Sequence, residues 1–227
     1  MSKLLKNTAY GVVLAACVAG AAPALAQTQL TTNGSFENAL AGWSTSGNCN
    51  FSTRTSGAFR NLPSPAGPTE GSRYLSVAPN TTFVDCALYQ DVAIPAGATA
   101  TLTFAASESS DTTDAAYAGR VEVRTTGNTV LATPFSLNGA QVGYRGPAPF
   151  VAYSADLSAY AGQTVRIAIV TTSGNYCCNE TFADNVSVLA AAAPTPVPTL
   201  SEWAMILFGA ILAGAAALFV QGRRQPA

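Results

Sequence analysis

The sequence predicts an antiparallel β-sandwich, and three observations support this prediction. Between residues 27 and 190, short runs alternate polar and apolar side chains with a period of two, as half-buried strands do. Turn-forming residues interrupt these runs at short intervals, at 95–97, 127–128 and 161–163. No run in this region has a convincing helical period, and about eight short strands at this spacing are typical of a sandwich or jelly roll.

Residues 1–26 have the layout of a secretory signal peptide. Lys3 and Lys6 provide positive charge, residues 9–22 are apolar, and Ala24 and Ala26 are the small residues that signal peptidase recognises. We therefore expect cleavage before Gln27. The alternative is a lipobox at residues 14–17, in which Cys17 would be lipidated and become the new N-terminus.

The predicted strands follow one another through the domain of residues 27–190. They are the runs 74–77, 88–94, 99–105, 120–125, 150–157, 163–171 and 182–189. The run 120–125 alternates most clearly, and 163–171 becomes continuously apolar towards its end, as a more deeply buried strand does. The sequence contains no internal repeat.

Composition narrows the possible functions. Only 10% of residues are charged, against about 25% in typical soluble domains. The chain has no histidine, which excludes a Ser-His-Asp triad, histidine metal ligands and the usual general base near neutral pH. A net charge of −1, with both lysines in the signal peptide, gives no support for nucleic-acid binding.

Two short motifs open and close the domain. Residues 33–37 are Asn-Gly-Ser-Phe-Glu, followed by Gly42-Trp43, and residues 182–188 are Phe-Ala-Asp-Asn-Val-Ser-Val. This pair resembles the galactose-binding-like jelly rolls, including the family 4/9-type carbohydrate-binding modules. The resemblance implies that the first and last strands are neighbours and that Glu37 and Asp184 hold a structural Ca²⁺ ion. The alternative is that Glu37 only accepts hydrogen bonds in a turn.

Four cysteines remain once Cys17 is removed with the signal peptide: Cys49, Cys86, Cys177 and Cys178. An even count in an exported protein indicates two disulfides, with three possible connectivities. Adjacent cysteines fit disulfide geometry poorly, so we expect Cys49 and Cys86 each to bond one of the adjacent pair.

A sugar site needs aromatic faces and planar polar groups. Tyr144 and Arg145, in the loop 143–146, and Tyr176 beside Asn175 are the ligand-binding candidates, because they lie among turn residues. The other aromatic residues of the domain are more often core than binding platform; they include Trp43, Tyr89, Tyr117, Phe150 and Tyr153. An acidic stretch containing Glu108, Asp111 and Asp114 is either a second cation site or a solvated loop.

The C-terminal end has three parts. Prolines stiffen a linker at residues 191–199. Residues 204–220 form an uncharged apolar run that reaches about 26 Å as a helix, just enough for a thin bilayer. Arg223 and Arg224 follow, and the positive-inside rule puts them in the cytoplasm with the main domain outside. The sequence thus predicts a single transmembrane helix.

The segment 197–225 resembles the IPTL-CTERM sorting signal, which is similar in layout to PEP-CTERM signals. The residues that carry the resemblance are Val197, Pro198, Thr199, Leu200, Trp203, Arg223 and Arg224. Val197 stands where the motif has Ile, and Ala204 where it has Gly. The resemblance implies recognition by an exosortase-type membrane enzyme and processing near residues 198–200.

Together these features predict an exported bacterial envelope protein whose non-catalytic domain binds a glycan or another surface polymer. The expected partners are signal peptidase, an exosortase-type enzyme, the membrane and such a polymer, and Ca²⁺ is the only expected cofactor. Two alternatives remain open. One is a structural surface or matrix protein without a small ligand. The other is a glycoside hydrolase, which needs only two carboxylates.

Overall fold

The computed structural model of the protein describes residues 27–59, 61–175, 179–193 and 200–222, with side chains of the last segment given for 202–218. Several predicted features lie outside the described residues. They are the signal peptide, Tyr176, Cys177, Cys178, Val197, Pro198, Thr199, Arg223 and Arg224.

Eleven strands and two helices make up the described chain. The strands are β1 Gln27–Gln29, β2 Ser44–Ser46, β3 Cys49–Arg54, β4 Tyr74–Pro79, β5 Val84–Ala93, β6 Thr99–Ser110, β7 Ala118–Thr125, β8 Val130–Asn138, β9 Val151–Asp156, β10 Thr164–Ser173 and β11 Asn179–Ala191. The helices are α1 Gly139–Val142 and α2 Leu200–Gly222, and Ser158–Tyr160 form one 3-10 turn.

The strands form two sheets with antiparallel neighbours. Sheet A has the order β3-β4-β11-β6-β9, with β1 also paired to β11, and sheet B has the order β2-β5-β10-β7-β8. The predicted antiparallel sandwich is therefore confirmed. The inward side chains of both sheets share one core, which includes Leu75, Leu102, Val121, Ile167 and Ile169, all essentially unexposed. Alternation along each strand sends every second side chain to the outer faces.

Strands β1, β2, β3 and β8 were not predicted from the sequence. β1 and β2 are only three residues long and fully exposed, so they have no buried face to show a pattern. β8 contains Pro134, which is tolerated because β8 is an edge strand. β6 and β11 extend beyond their apolar runs, since the polar segments at 107–110 and 179–182 pair with each other.

The opening and closing motifs lie side by side. Gln27 pairs with Ala191 at the start of β1, so the first and last strands are neighbours. The Asn33 amide donates to the carbonyls of Asn38, Ala39 and Ala41, which closes the opening segment into a compact turn. This turn brings the rings of Phe36 and Trp43 to 5.4 Å, both buried in the core.

The disulfide prediction was wrong in its pairing. Cys49 and Cys86 bond to each other, with their Cα atoms 6.1 Å apart. Ser46 of β2 pairs with Ala87 of β5 in sheet B, and the chain then crosses to sheet A within three residues. This crossing brings Cys49 beside Cys86, so the bond joins the two sheets at one end of the sandwich.

Removing this bond in the double variant Cys49→Ala/Cys86→Ala is expected to lower the free energy of unfolding by about 4 kcal/mol. The bond spans 37 residues, and closing such a loop restricts the unfolded chain by about that amount. Urea unfolding of the two proteins measures the loss. Peptide mapping of the non-reduced wild-type protein is the companion test, and a peptide joining Cys49 to Cys177 or Cys178 would contradict the pairing.

Helix α2 runs from Leu200, the fourth residue of the predicted sorting motif, to Gly222. Across the described residues, no helix is both long enough and apolar enough to pass through a membrane. The transmembrane segment 204–220 and the signal peptide stay predictions.

Candidate functional site

The described residues 55–59 and 61–73 form a covering segment that lies over the outer face of sheet A. This face carries Ser76 of β4 and Phe182 of β11, which alternate with the core residues Leu75, Val77 and Ala183. Both outward side chains are nevertheless fully buried. The covering segment therefore shields the part of the face formed by β4 and β11.

Glu37 and Asp184 hold the end of the covering segment that leads into β4. Asp184 Oδ2 accepts from Thr69 N at 2.6 Å and from the Thr69 hydroxyl at 2.8 Å. Glu37 Oε1 accepts from Ser72 N at 2.8 Å and Arg73 N at 2.7 Å, and its Oε2 accepts from the Ser72 hydroxyl. These two carboxylates therefore fasten one segment of backbone.

The two carboxyl groups have opposite pKa shifts. Hydrogen bonds from the Ser72 side chain and backbone lower the pKa of Glu37, whose charged form they favour. Burial raises the pKa of Asp184, because desolvation of its charged form outweighs the hydrogen bonds from Thr69.

The groups around this pair are mostly hydrogen-bond donors, which suit a carboxylate acceptor better than a calcium ion. Asp184 Oδ2 accepts three bonds and Oδ1 accepts one from Asn185 N, so N–H and O–H groups occupy most of its lone pairs. Calcium needs six to eight oxygen ligands. Within the described ranges, no three acidic, cysteine or histidine side chains are grouped to hold a metal ion. Glu37 and Asp184 thus accept hydrogen bonds from neighbouring residues of the covering segment, and the Ca²⁺ ion that the resemblance implies stays a prediction.

A third carboxylate holds the beginning of the covering segment. Both oxygens of the buried Glu180 accept from Phe59 N, at 2.9 and 2.8 Å, and Ser76 Oγ donates to the same carboxylate. Nearby, the Tyr74 hydroxyl donates to Gly57 O at 2.6 Å. The covering segment is therefore fixed to the sheet at both of its ends.

A small aromatic cluster closes the same face from another side. Tyr74 and Phe182 are fully buried and pack with Ala148 and Phe150, which come from the connection before β9. The ring of Phe150 meets that of Tyr74 edge to face at 5.6 Å. The connection thus crosses over β6, where Ser107 and Ser109 are buried although they lie on the outer face.

A cleft of about 470 Å³ lies on the outer face of sheet A. The covering segment forms one of its walls, and the connection with Phe150 forms the other. Its floor consists of Thr103 and Ala105 of β6 with Ala152 and Ser154 of β9. The other lining residues include Thr69 of the covering segment, Asn185 of β11 and Phe150. Asn185 stands at an irregularity of the β6–β11 pairing with a φ of 51°, a conformation that asparagine tolerates better than most residues.

The lining of this cleft is neutral. The hydroxyl groups of Thr103 and Ser154 and the amide of Asn185 can both donate and accept hydrogen bonds, and the Thr69 hydroxyl, which donates to Asp184, can still accept one. Phe150 adds an aromatic ring, held in place by its packing against Tyr74. A lining that combines apolar and aromatic side chains with a few neutral hydrogen-bonding groups is typical of sites for uncharged, hydroxyl-rich ligands.

Tyr144 and Arg145 lie at a different place from the cleft. Arg145 N donates to Ser110 O at the end of β6, and its guanidinium bonds the Asp111 carboxylate at 2.6 Å. Ser110 and Thr103 are seven residues apart in one strand, or about 23 Å at the usual rise. Tyr144 is 64% exposed beside Arg145. The bond to Arg145 lowers the pKa of Asp111, so this pair is largely satisfied internally.

The remaining aromatic candidates have different surroundings. Trp43 and Tyr117 are buried, Tyr153 packs between Phe104 and Phe135, and Tyr89 lies under the guanidinium of Arg166. Phe150 and Tyr153 also line the cleft, and Phe150 comes from the connection before β9. Thr69 and Ser154 had no signal in the sequence, since each is a common polar residue, whereas Asn185 belongs to the closing motif but was not identified there as a ligand-binding residue.

The acidic stretch is divided by the fold. Glu108 lies in β6 on the inner face and is fully buried, whereas Asp111 bonds Arg145 and Asp114 accepts from Ala116 N at 2.9 Å. The three carboxylates therefore have separate partners and do not form one cation site.

Comparison with known proteins identifies the C-terminal segment. Residues 195–225 match the IPTL-CTERM motif, which confirms the resemblance seen in the sequence and indicates an exported, surface-sorted protein. No curated protein matches the chain.

Three solved structures that are similar to the chain illustrate the range of the matches. One is a Stig cyclase, Fisc from Fischerella sp. TAU, at 17% identity and TM-score 0.48, covering 74% of this chain and 100% of that one. Another is TmCBM61 bound to beta-1,4-galactotriose, at 12% identity and a TM-score of 0.48. The match covers 71% of this chain and 97% of that one. The third comes from work on promiscuous carbohydrate-binding modules of the beta-sandwich superfamily, at 16% identity and a TM-score of 0.42. The match covers 71% of this chain and 62% of that one. Likenesses this distant assign neither an activity nor a ligand.

Proposed function

We propose that this protein is exported, sorted by an exosortase-type system, and binds a neutral glycan without transforming it. The observation that carries the proposal is the cleft on sheet A, with its neutral polar lining and the ring of Phe150. Residues 195–225 match a sorting motif, which supports a location of the protein at the cell surface, where such polymers are found.

The physics of the cleft favours binding of a sugar. Pyranose rings have apolar faces that pack on aromatic side chains, and hydroxyl groups that exchange hydrogen bonds with threonine, serine and asparagine. Phe150 and Thr69 are held by neighbouring packing and by the Asp184 carboxylate before any ligand arrives. A preorganised site loses less conformational entropy on binding.

Filling the cleft is expected to weaken glycan binding strongly. Ser154 is exposed on the floor, so Ser154→Trp would occupy the space without disturbing the core. We expect at least about a tenfold loss of affinity, which corresponds to about 1.4 kcal/mol. Affinity electrophoresis against soluble glucan, xylan, galactan and mannan, followed by calorimetry on those that bind, measures the effect.

A matched control is available on the opposite sheet. Ser136 is exposed on β8, the edge strand of sheet B, just as Ser154 is exposed on β9, the edge strand of sheet A. Ser136→Trp should therefore bind as the wild-type protein does. Equal binding by all three proteins would place the glycan elsewhere, with the Tyr144 loop as the next site to test.

The two alternative functions give different results in the same assay. A purely structural surface protein would bind none of the polysaccharides. A glycoside hydrolase would release reducing ends from at least one of them, which a reducing-sugar assay detects.

A further inference from the structure

We propose that the cleft and a second cavity beside it form one groove, which binds an internal stretch of a glycan chain. This inference rests on the proposed function, because it assigns to the same site a longer chain and a second set of contacts. It follows from the outer face of sheet A, which continues past the cleft across β11 to β1.

The second cavity has a volume of about 330 Å³ and lies where β11 meets β1 and the opening segment. Asn185 lines both this cavity and the cleft, so the two spaces adjoin at β11. The covering segment borders both as well, because Thr69 lines the cleft and Glu70, the next residue, lines the second cavity. The Asp184 carboxylate accepts from the backbone N–H groups of both residues, so this border is one fixed piece of backbone alongside the two cavities.

A row of polar side chains connects the two cavities across the strands. Ser154 of β9 pairs with Thr103 of β6, and Thr103 pairs with Ser187 of β11. Ser154 and Thr103 are exposed and Ser187 is half-buried, so the row is accessible on the outer face. Ser187 Oγ then donates to Gln29 Oε1 of β1 at 2.8 Å. At the usual spacing between strands, the distance from β9 to β1 is about 14 Å, which is enough for a short oligosaccharide.

Both ends of this groove are open. At one end, Ala152 and Ser154 are exposed on β9, which among the described strands pairs with β6 alone. At the other end, Gln29 is exposed on β1, whose pairing within the described chain is with β11 alone. A glycan chain can therefore enter over β9 and leave over β1, and only its middle units need to contact the protein.

The two cavities offer different contacts to such a chain. The cleft has the rings of Phe150 and Tyr153, whereas the second cavity is lined mainly by hydroxyl and amide groups. Gln29 is held in place there, because its Oε1 accepts from Ser187 and its Nε2 donates to Thr31 Oγ1 at 2.5 Å. One sugar unit can thus pack on the rings of the cleft while the next units exchange hydrogen bonds with Gln29 and Ser187.

The first test compares chains of increasing length. The probes are β-1,4-linked glucan, xylan, galactan and mannan oligosaccharides, from the disaccharide to the octasaccharide, together with their parent polymers. For the sugar that binds, affinity should rise at least about tenfold as added units reach the second cavity, and should then level off once the groove is filled. A long polymer should carry several protein molecules, because each internal stretch of sufficient length is a site. Calorimetry measures the affinities, and analytical ultracentrifugation measures the stoichiometry.

The second test removes hydrogen-bonding groups from the second cavity. In the double variant Gln29→Ala/Ser187→Ala, binding of the hexasaccharide should weaken about tenfold, because two groups that contact its outer units are lost. The disaccharide should bind as it does to the wild-type protein, since it stays on the rings of the cleft. Thr28→Ala is the matched control, because Thr28 is exposed on the same strand but lies outside both cavities.

The outcomes separate this inference from the proposed function. Affinity already complete at the disaccharide, or one protein molecule on each polymer chain whatever its length, would overturn the groove and leave glycan binding intact. A folded double variant that binds the hexasaccharide as tightly as the wild-type protein would also overturn it. The length dependence of the wild-type protein needs no variant, so it decides the matter even if the double variant is unstable. Absence of binding to every probe, polymers included, would instead contradict the proposed function.

Discussion

Gly34→Ala is expected to prevent stable folding of the sandwich domain. A Cβ atom at position 34 would stand 1.7 Å from Val186 O and 2.8 Å from Val186 C. Both atoms belong to the backbone of β11, and Val186 N donates to Gly34 O at 2.9 Å in the same contact. The clash can be relieved only by separating the opening segment from the last strand. This separation would also disturb the burial of Phe36 and Trp43 in the core.

We expect this variant to lose more than about 4 kcal/mol of unfolding free energy, at the upper limit for single substitutions. Soluble yield and urea unfolding measure the loss. Gly67→Ala is the matched control, because a Cβ atom there has no neighbour within 4 Å. A Gly34→Ala protein with the wild-type unfolding midpoint would show that the opening segment does not pack on β11 in this way.

Glu108→Gln is expected to remove a large part of the pH dependence of stability. Glu108 lies on the inner face of β6, where Asn179 Nδ2 approaches at 2.9 Å and Thr181 Oγ1 at 2.6 Å. Burial raises the pKa of the Glu108 carboxyl to about 8, so the folded protein holds it protonated at neutral pH. The protonated carboxyl group can donate a hydrogen bond to Thr181 Oγ1, which lies 2.6 Å from Thr171 Oγ1.

The direction of the effect follows from proton linkage. Below about pH 4.5 both folded and unfolded chains hold the proton, and the stabilisation is fully present. As pH rises from there to about 8, the unfolded chain releases the proton but the folded chain keeps it, so stability falls. The difference between 4.5 and about 8 corresponds to a loss of up to roughly 5 kcal/mol.

Glutamine resembles the protonated carboxyl in shape and can donate to Thr181, so the variant should match the wild-type protein near pH 4.5. The advantage of the variant in unfolding free energy should then grow up to about pH 8. Urea unfolding at several pH values measures both curves. The exposed Glu70 provides the control, since Glu70→Gln should keep the wild-type slope. Parallel curves for wild-type and Glu108→Gln proteins would show that Glu108 is ionised in the folded state.

Most of the strand pattern could be predicted because alternation is local. Residues 120–125 lie within β7 and 163–171 largely within β10, since a strand with one buried face must alternate whatever its partners are. The prediction was weakest where polar residues are buried. Glu108, Asn179 and Thr181 have the composition of a loop but pair within sheet A, and Gly119 of sheet B leaves room for the Glu108 carboxylate.

The candidate site was largely beyond prediction. Phe150 was recognisable as an aromatic residue, and Glu37 and Asp184 as a pair, but the cleft depends on segments without a strand pattern. Thr69 meets Asp184 across 115 positions of sequence, and Phe59 meets Glu180 across 121. No local sequence pattern predicts hydrogen bonds between residues so far apart in the chain. For the same reason, a single sequence could not show that Cys49 bonds Cys86, because the choice depends on which strands become neighbours.

The sequence by itself determined the fold class and the C-terminal sorting motif. Both depend on consecutive residues: the fold class on the alternation of polar and apolar residues with a period of two, and the sorting motif on the short stretch 195–225. Tertiary structure alone decided the disulfide partner, the hydrogen-bonding role of Glu37 and Asp184, and the two walls of the cleft. Each of these depends on contacts between distant segments, which exist only after the two sheets have packed and the covering segment has closed over sheet A.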